Sequence, residues 1–137
     1  MLFRSNKVKL ITLSTLEQGN FTLEIEQVAI GDEEKMSVYE NWADVIIFQG
    51  HALALFEVIK SSSKILISDL YDPMHLEQLE QAKHSPKNVW ELAVSDATDL
   101  INEQLIRCDF FICASERQRL FWLHQQLSND FEIGVVR

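Results

Sequence analysis

Three unbroken apolar runs constrain the fold of this chain more than any other feature: Val45-Ile46-Ile47-Phe48, Ile65-Leu66-Ile67 and Phe110-Phe111-Ile112-Cys113-Ala114. A strand wetted on one face alternates apolar and polar residues, whereas a continuous run belongs to a parallel strand covered on both faces. Each run ends in a polar cluster, and helical spacing follows each one. This alternation predicts an α/β fold, a single Rossmann-like three-layer domain over residues 1–137 with a mostly parallel sheet.

The intervening segments carry helix signals. Gly31-Asp32-Glu33-Glu34 is an acidic start that suits the macrodipole, followed by Met36, Tyr39 and Ala43 at helical spacing with Trp42 beside them. Ala52 to Lys60 reads as one helix and Pro73 to about Lys83 as another, with Asp72 as its cap. Ser85-Pro86 repeats that device before a long helix to about Arg107. Its expected inner stripe is Val89, Leu92, Ala93, Ala97, Leu100 and Leu105, with Glu91, Asp99 and Glu103 outward and Glu103–Arg107 as an i,i+4 pair. Ser115 and Gln118 form a capping box for a last helix to about Leu127.

Upstream, Val8 to Leu13 is apolar enough for a strand, and Phe21 to Glu26 alternates strictly, as a half-buried edge strand does. Gly19-Asn20 between them favours an antiparallel edge hairpin within residues 8–28. A parallel pairing, which needs a longer crossover, stays open.

Composition removes several function classes. A formal charge of −9 and a pI near 4.8 give no clustered cationic surface for nucleic acid or anionic membrane. No apolar run approaches the roughly 20 residues of a membrane helix, and the N-terminus has no apolar signal core. The expectation is a soluble, cytoplasmic protein without an integral membrane segment. Cys108 and Cys113 form no disulfide framework, and Cys113 within its apolar run reads as a buried thiol.

No glycine-rich phosphate loop occurs among the four glycines, and the four histidines lack metal-ligand spacing. No cofactor is expected. What remains are three polar clusters, each directly after an apolar run: Gln49-Gly50-His51, Asp69-Leu70-Tyr71-Asp72 and Ser115-Glu116-Arg117. The carboxyl ends of parallel strands lie along one rim, where open α/β sheets bind ligands. His51 is a candidate acid, base or hydrogen-bond donor. Asp72 serves first as a helix cap and second as a ligand contact. Ser115 and Glu116 are explained by the start of their helix. Arg117 opposes the dipole there, so it is expected to pair with Glu116 or Asp69 or to bind an anion.

The segments Ala43–Gly50, Asp69–Glu80, Asn102–Leu105, Asp109–Arg119 and Phe121–Leu123 together resemble the N-terminal half of bacterial group 1 glycosyltransferases, the retaining family 4 type with the GT-B fold. The resemblance covers roughly residues 31 to 127, and Asp69–Glu80 is its most specific block. It implies a Rossmann-like domain facing a second domain across a cleft, with the acceptor on this side and the nucleotide sugar on the other. Gln49, Gly50, His51, Asp69, Tyr71, Asp72, Ser115, Glu116 and Arg117 would then line the acceptor side. Gln49 stands where many family members have a histidine. The donor domain with its E-x7-E element and the glycine-rich loop are not matched, so the chain is expected to be inactive alone. Expected partners are a sugar acceptor and a partner domain or second copy. The competing expectation is a non-catalytic assembly module that uses the cleft face as a protein interface.

Overall fold

The computed structural model describes residues 7–15, 25–71, 73–125 and 133–135. In chain order these form β1 (Leu10–Thr12), β2 (Ile25–Gln27), α1 (Glu33–Trp42), β3 (Val45–Gln49), α2 (Ala52–Leu55), α3 (Glu57–Lys60), β4 (Ile65–Asp69), α4 (Met74–Ala82), α5 (Lys87–Arg107), β5 (Phe110–Cys113), α6 (Glu116–Gln125) and β6 (Ile133–Val135). All described pairings are parallel: a four-stranded sheet in the order β3-β4-β5-β6, and a separate pair β1-β2. The α/β alternation with parallel strands is the one the apolar runs predict.

The antiparallel hairpin is corrected. Leu10 aligns with Ile25 and Thr12 with Gln27 in parallel register. The strands are shorter than their apolar spans, so residues 13–24 connect them, and about a dozen residues suffice for a parallel crossover. The Gly19-Asn20 turn and the alternation at Phe21–Glu24 lie outside the described residues. β6 was not anticipated, because Ile133-Gly134-Val135 is too short and too glycine-marked to read as a strand.

Helix boundaries follow side-chain chemistry. Asp32 Oδ1 accepts the Lys35 amide at 3.0 Å and caps α1. Glu33 reaches elsewhere: its carboxylate accepts the amides of Glu57 at 2.8 Å and Val58 at 3.1 Å, capping α3 from α1. The expected single helix over Ala52–Lys60 is therefore two short ones, broken at Phe56, which is extended (φ −138°, ψ 108°) with its ring fully buried. Pro86 itself holds the N-cap position of α5 with no side-chain cap, so Ser85 does not cap this helix; Pro73 does the same for α4. Asp72 lies outside the described residues.

The inner stripe of α5 is shifted along the helix. Ala97, Leu100, Ile101 and Gln104 are buried and Ala93 and Leu105 half-buried, whereas Val89 and Leu92 are exposed. A 21-residue helix spans about 31 Å and a five-residue strand about 17 Å. The first turns of α5 therefore overhang the sheet and meet mainly α4. The Glu103–Arg107 pair is not made. Glu103 binds Lys60, while Arg107 Nε donates to the Lys60 carbonyl at 2.5 Å and its Nη2 to the Ser62 carbonyl. The cation thus serves carbonyls at and just past the C-terminus of α3. Asp109 sets the β4–β5 register, its amide donating to the Leu66 carbonyl at 2.9 Å and its carboxylate accepting the Leu66 amide at 2.8 Å.

The Rossmann-like α/β class stands, but among the described residues the helices cover one face of the sheet and not two. Aligned residues of parallel strands share a face, so Ile46, Phe48, Leu66, Ser68, Phe111 and Cys113 form one face, and this one packs under the helices. One core joins Phe48 and Leu66 to Met36, Tyr39, Leu53, Phe56 and Ile59; a second joins Phe111 and Cys113 to Leu70, Ile101 and Trp122. The opposite face carries Val45 (43% exposed), Ile47 (62%), Ile65 (44%) and Phe110 (45%), with Ile67 and Ile112 half-buried. Strands succeeding one another in one direction with right-handed crossovers put every helix on the same side. Among the described residues no helix covers the second face.

The one-sided layering predicts asymmetric tolerance. At dilutions where the chain is monomeric, Ile47→Thr should shift stability by no more than about 0.5 kcal/mol, as an exposed site allows, and Leu66→Ala should cost about 2–5 kcal/mol. Urea denaturation midpoints check this, and similar costs would mean that the second face is covered in solution.

Candidate functional site

The rim beyond β3, β4 and β5 gathers the three polar clusters, but the pleat sends them to different places. Gln49 and Asp69 are aligned across β3–β4 on the helix-free face, where Gln49 Nε2 donates to Asp69 Oδ2 at 2.7 Å. His51, one residue past Gly50, stands at the N-cap of α2 with no side-chain cap bond. Gly50 adopts φ +65°, a region a side chain rarely enters, and this reverses the chain from β3 into α2.

That turn is anchored from beneath by a residue that sequence reasoning missed. Gln104 of α5 is 1% exposed, among the most buried side chains in the molecule. Its Oε1 accepts the Ser68 hydroxyl at 3.0 Å, and its Nε2 donates to the Gly50 carbonyl at 2.6 Å. One amide thus links β4, α5 and the β3–α2 turn. Its signal was faint: a glutamine four residues after Leu100, on the apolar side of a helix whose stripe otherwise holds Ala, Leu and Ile.

The second cluster is held by α6. The Leu70 amide donates to the Ile112 carbonyl at 2.8 Å, Trp122 Nε1 to the Leu70 carbonyl at 3.3 Å, and Gln118 Nε2 to the Tyr71 carbonyl at 2.6 Å. The Tyr71 side chain is left exposed at the rim. Half of the capping box is formed as expected, with Ser115 Oγ accepting the Gln118 amide at 3.3 Å; the return bond is displaced by one residue, Gln118 Oε1 accepting the Ala114 amide at 2.9 Å. Glu116 pairs with Arg119, whose Nε lies 2.8 Å from Oε2. The expected partnership of Arg117 with Glu116 or Asp69 is therefore not made; Arg117 is exposed and forms no ion pair among the described residues. Ser115 and Glu116 stand at the start of α6 and line neither cavity among the described residues.

His51 and Tyr71 do converge. Both line a cavity of about 600 Å³ between α2, α4 and α5, together with Glu77, Gln78 and Asp96 on a floor that includes Met74, Ala97 and Leu100. Its size falls in the range of small-molecule sites, and its place beyond the carboxyl ends of β3 and β4 is where such sites form. No family model, curated protein or solved structure matches this chain. The chemistry of the cavity must be read from its residues alone. It offers hydrogen-bond acceptors, an aromatic ring and an imidazole. Among the described residues no group of three His, Cys, Asp or Glu side chains is placed to hold a metal ion. The thiols are not poised for nucleophilic work: burial pushes Cys108 up to about 12 and also raises Cys113.

His75, in the first turn of α4, packs against Phe121 and Trp122 with ring centroids 6.0 Å away in each case. Its Nδ1 is buried without a hydrogen-bond partner among the described residues, and burial lowers its pKa.

Two outcomes follow. Gln104→Leu strands the Ser68 hydroxyl and the Gly50 carbonyl, and should cost about 2 kcal/mol or more in thermal or urea unfolding, with Ser68→Ala costing less. For His75, both folded and unfolded states are neutral above the ordinary histidine value, and stability there is full. As pH falls below about 6.5 the unfolded chain takes the proton first, so stability drops until the lower folded value is passed. Urea titrations at pH 7 and 5.5 should show a larger loss for the wild type than for His75→Leu; equal losses would mean that the ring is solvated.

Proposed function

We propose that the chain is the acceptor-side domain of a glycosyltransferase, holding a sugar acceptor in the cavity beyond β3 and β4 and relying on a separate domain to bring the nucleotide sugar. The observation that carries this is the convergence of His51 and Tyr71, from two strand ends, on one small-molecule-sized cavity. The resemblance of residues 31–127 to the N-terminal half of group 1 glycosyltransferases supports it. So does the absence from the sequence of a glycine-rich loop to cradle a diphosphate. Stabilising a departing nucleotide diphosphate requires positioned donors or cations, and the cavity lining contains neither Lys nor Arg. The division of labour is then physical. This chain positions the hydroxyl that will attack, with His51 and the two carboxylates as hydrogen-bond partners, while stabilisation of the leaving group comes from elsewhere.

A second function, self-association as an assembly module, is favoured by a different surface from the cleft face expected for it. The helix-free face of β3, β4 and β5 exposes Val45, Ile47, Ile65 and Phe110 as one contiguous apolar patch, of a kind that marks association sites. Its aligned residues carry no charge except Asp69 at one end, so a second copy of this acidic chain could meet it without like-charge repulsion at the contact.

Isothermal calorimetry separates these roles. Nucleotide-diphosphate sugars should give no binding heat with this chain, and micromolar affinity would overturn the acceptor-side assignment. Sedimentation velocity should show association that Ile47→Glu abolishes; a strict monomer at high concentration would end the assembly function.

A further inference from the structure

We propose that the ligand of the cavity is a polyol bearing no phosphate or carboxylate: an uncharged or amine-bearing sugar, not an anionic sugar ester. The assignment deepens the acceptor-side function and rests on it. The cavity is lined by two carboxylates, Glu77 on α4 and Asp96 on α5, and by no lysine or arginine. A carboxylate only accepts hydrogen bonds, and sugar hydroxyls and ammonium groups donate them. Glu77 Oε1 already accepts Gln81 Nε2 from its own helix at 2.8 Å, which leaves its second oxygen for a ligand. Asp96 makes no hydrogen bond or ion pair among the described residues. It also borders a smaller adjoining cavity of about 340 Å³, whose wall continues with Asp99 and Glu103. Of these four carboxylates only Glu103 is neutralised, by Lys60.

A phosphate entering here would therefore meet negative charge on two walls and no compensating cation. The cation that could have served an anion, Arg117, does not line either cavity. Tyr71 and Met74 supply the apolar surface against which the C–H face of a pyranose can pack, while Gln78 and His51 can each donate or accept. The chain as a whole reinforces the sign, because its formal charge of −9 repels anions at long range.

The test is an NMR titration of the full chain with three size-matched probes: methyl glucoside, glucosamine and glucose 6-phosphate. Shifts should centre on His51, Tyr71 and Asp96, and glucosamine should bind at least about tenfold tighter than the phosphate ester. Combining Glu77→Gln with Asp96→Asn, both exposed and tolerant positions, should bring the two within about threefold of each other. A phosphate ester that binds the cavity as tightly as the amine, or a preference that survives the double substitution, overturns the charge assignment and leaves an acceptor site standing. No shift at the cavity with any probe removes the acceptor site itself.

Discussion

A right-handed crossover leaves a helix no choice of side once the direction of strand succession is set. In this molecule the strands succeed one another as β3-β4-β5-β6 without reversal. Every connecting helix must then lie over Ile46, Phe48, Leu66, Ser68, Phe111 and Cys113, and all of these but the half-buried Ile46 are buried. A doubly wound sheet reverses its succession once, which both covers the second face and opens a crevice at the point of reversal. With no reversal among the described strands, the ligand-sized space is a gap in the single helical layer, where short α2 and α3 leave room between α4 and α5.

That gap keeps its shape through a few buried polar bonds. The Gly50 turn alone would be a flexible reversal with a backbone few residues tolerate. Gln104 fixes it by taking the Ser68 hydroxyl and giving a hydrogen bond to the Gly50 carbonyl. Neutral hydrogen bonds contribute modestly to stability, but an unmade buried one is expensive. The network therefore acts more as a constraint on alternatives than as a source of attraction. On the other side α6 performs the same office for Leu70 and Tyr71, whose carbonyls accept from Trp122 and Gln118. His51 and Tyr71 thus face the cavity from two braced strand ends.

How much of this was legible in the sequence depended on whether the determining contact was local. The Ser115 cap of the Gln118 amide lies within one turn and is made, with the return bond moved only one residue, to Ala114. The strands β3, β4 and β5 were legible because their apolar runs have no other use. The break at Phe56 was not, because the carboxylate that caps α3 belongs to Glu33, more than twenty residues earlier. The fate of Arg107 was hidden for the same reason: its better partners are the carbonyls of Lys60 and Ser62, far away in the chain. Of the candidate site residues, His51 and Tyr71 meet at the cavity, whereas Gln49 and Asp69 pair on the other face. A strand pattern tells which residues alternate, and not which of the two faces the helices will choose.

Continuous apolar runs such as these demand burial on both faces, and that demand stands even where the fold leaves one face open. Val45, Ile47, Ile65 and Phe110 have the composition of a core without its cover. The pleat keeps this surface apart from the cavity: Gln49 and Asp69 mark the rim of the open face, while His51 and Tyr71 open between the helices. Whatever packs on the open face can do so without occluding the cavity. A second copy docked there would leave the cavity between the helices open. A contact on the open face and a ligand in the cavity would then not compete, because the two surfaces lie on opposite sides of one sheet.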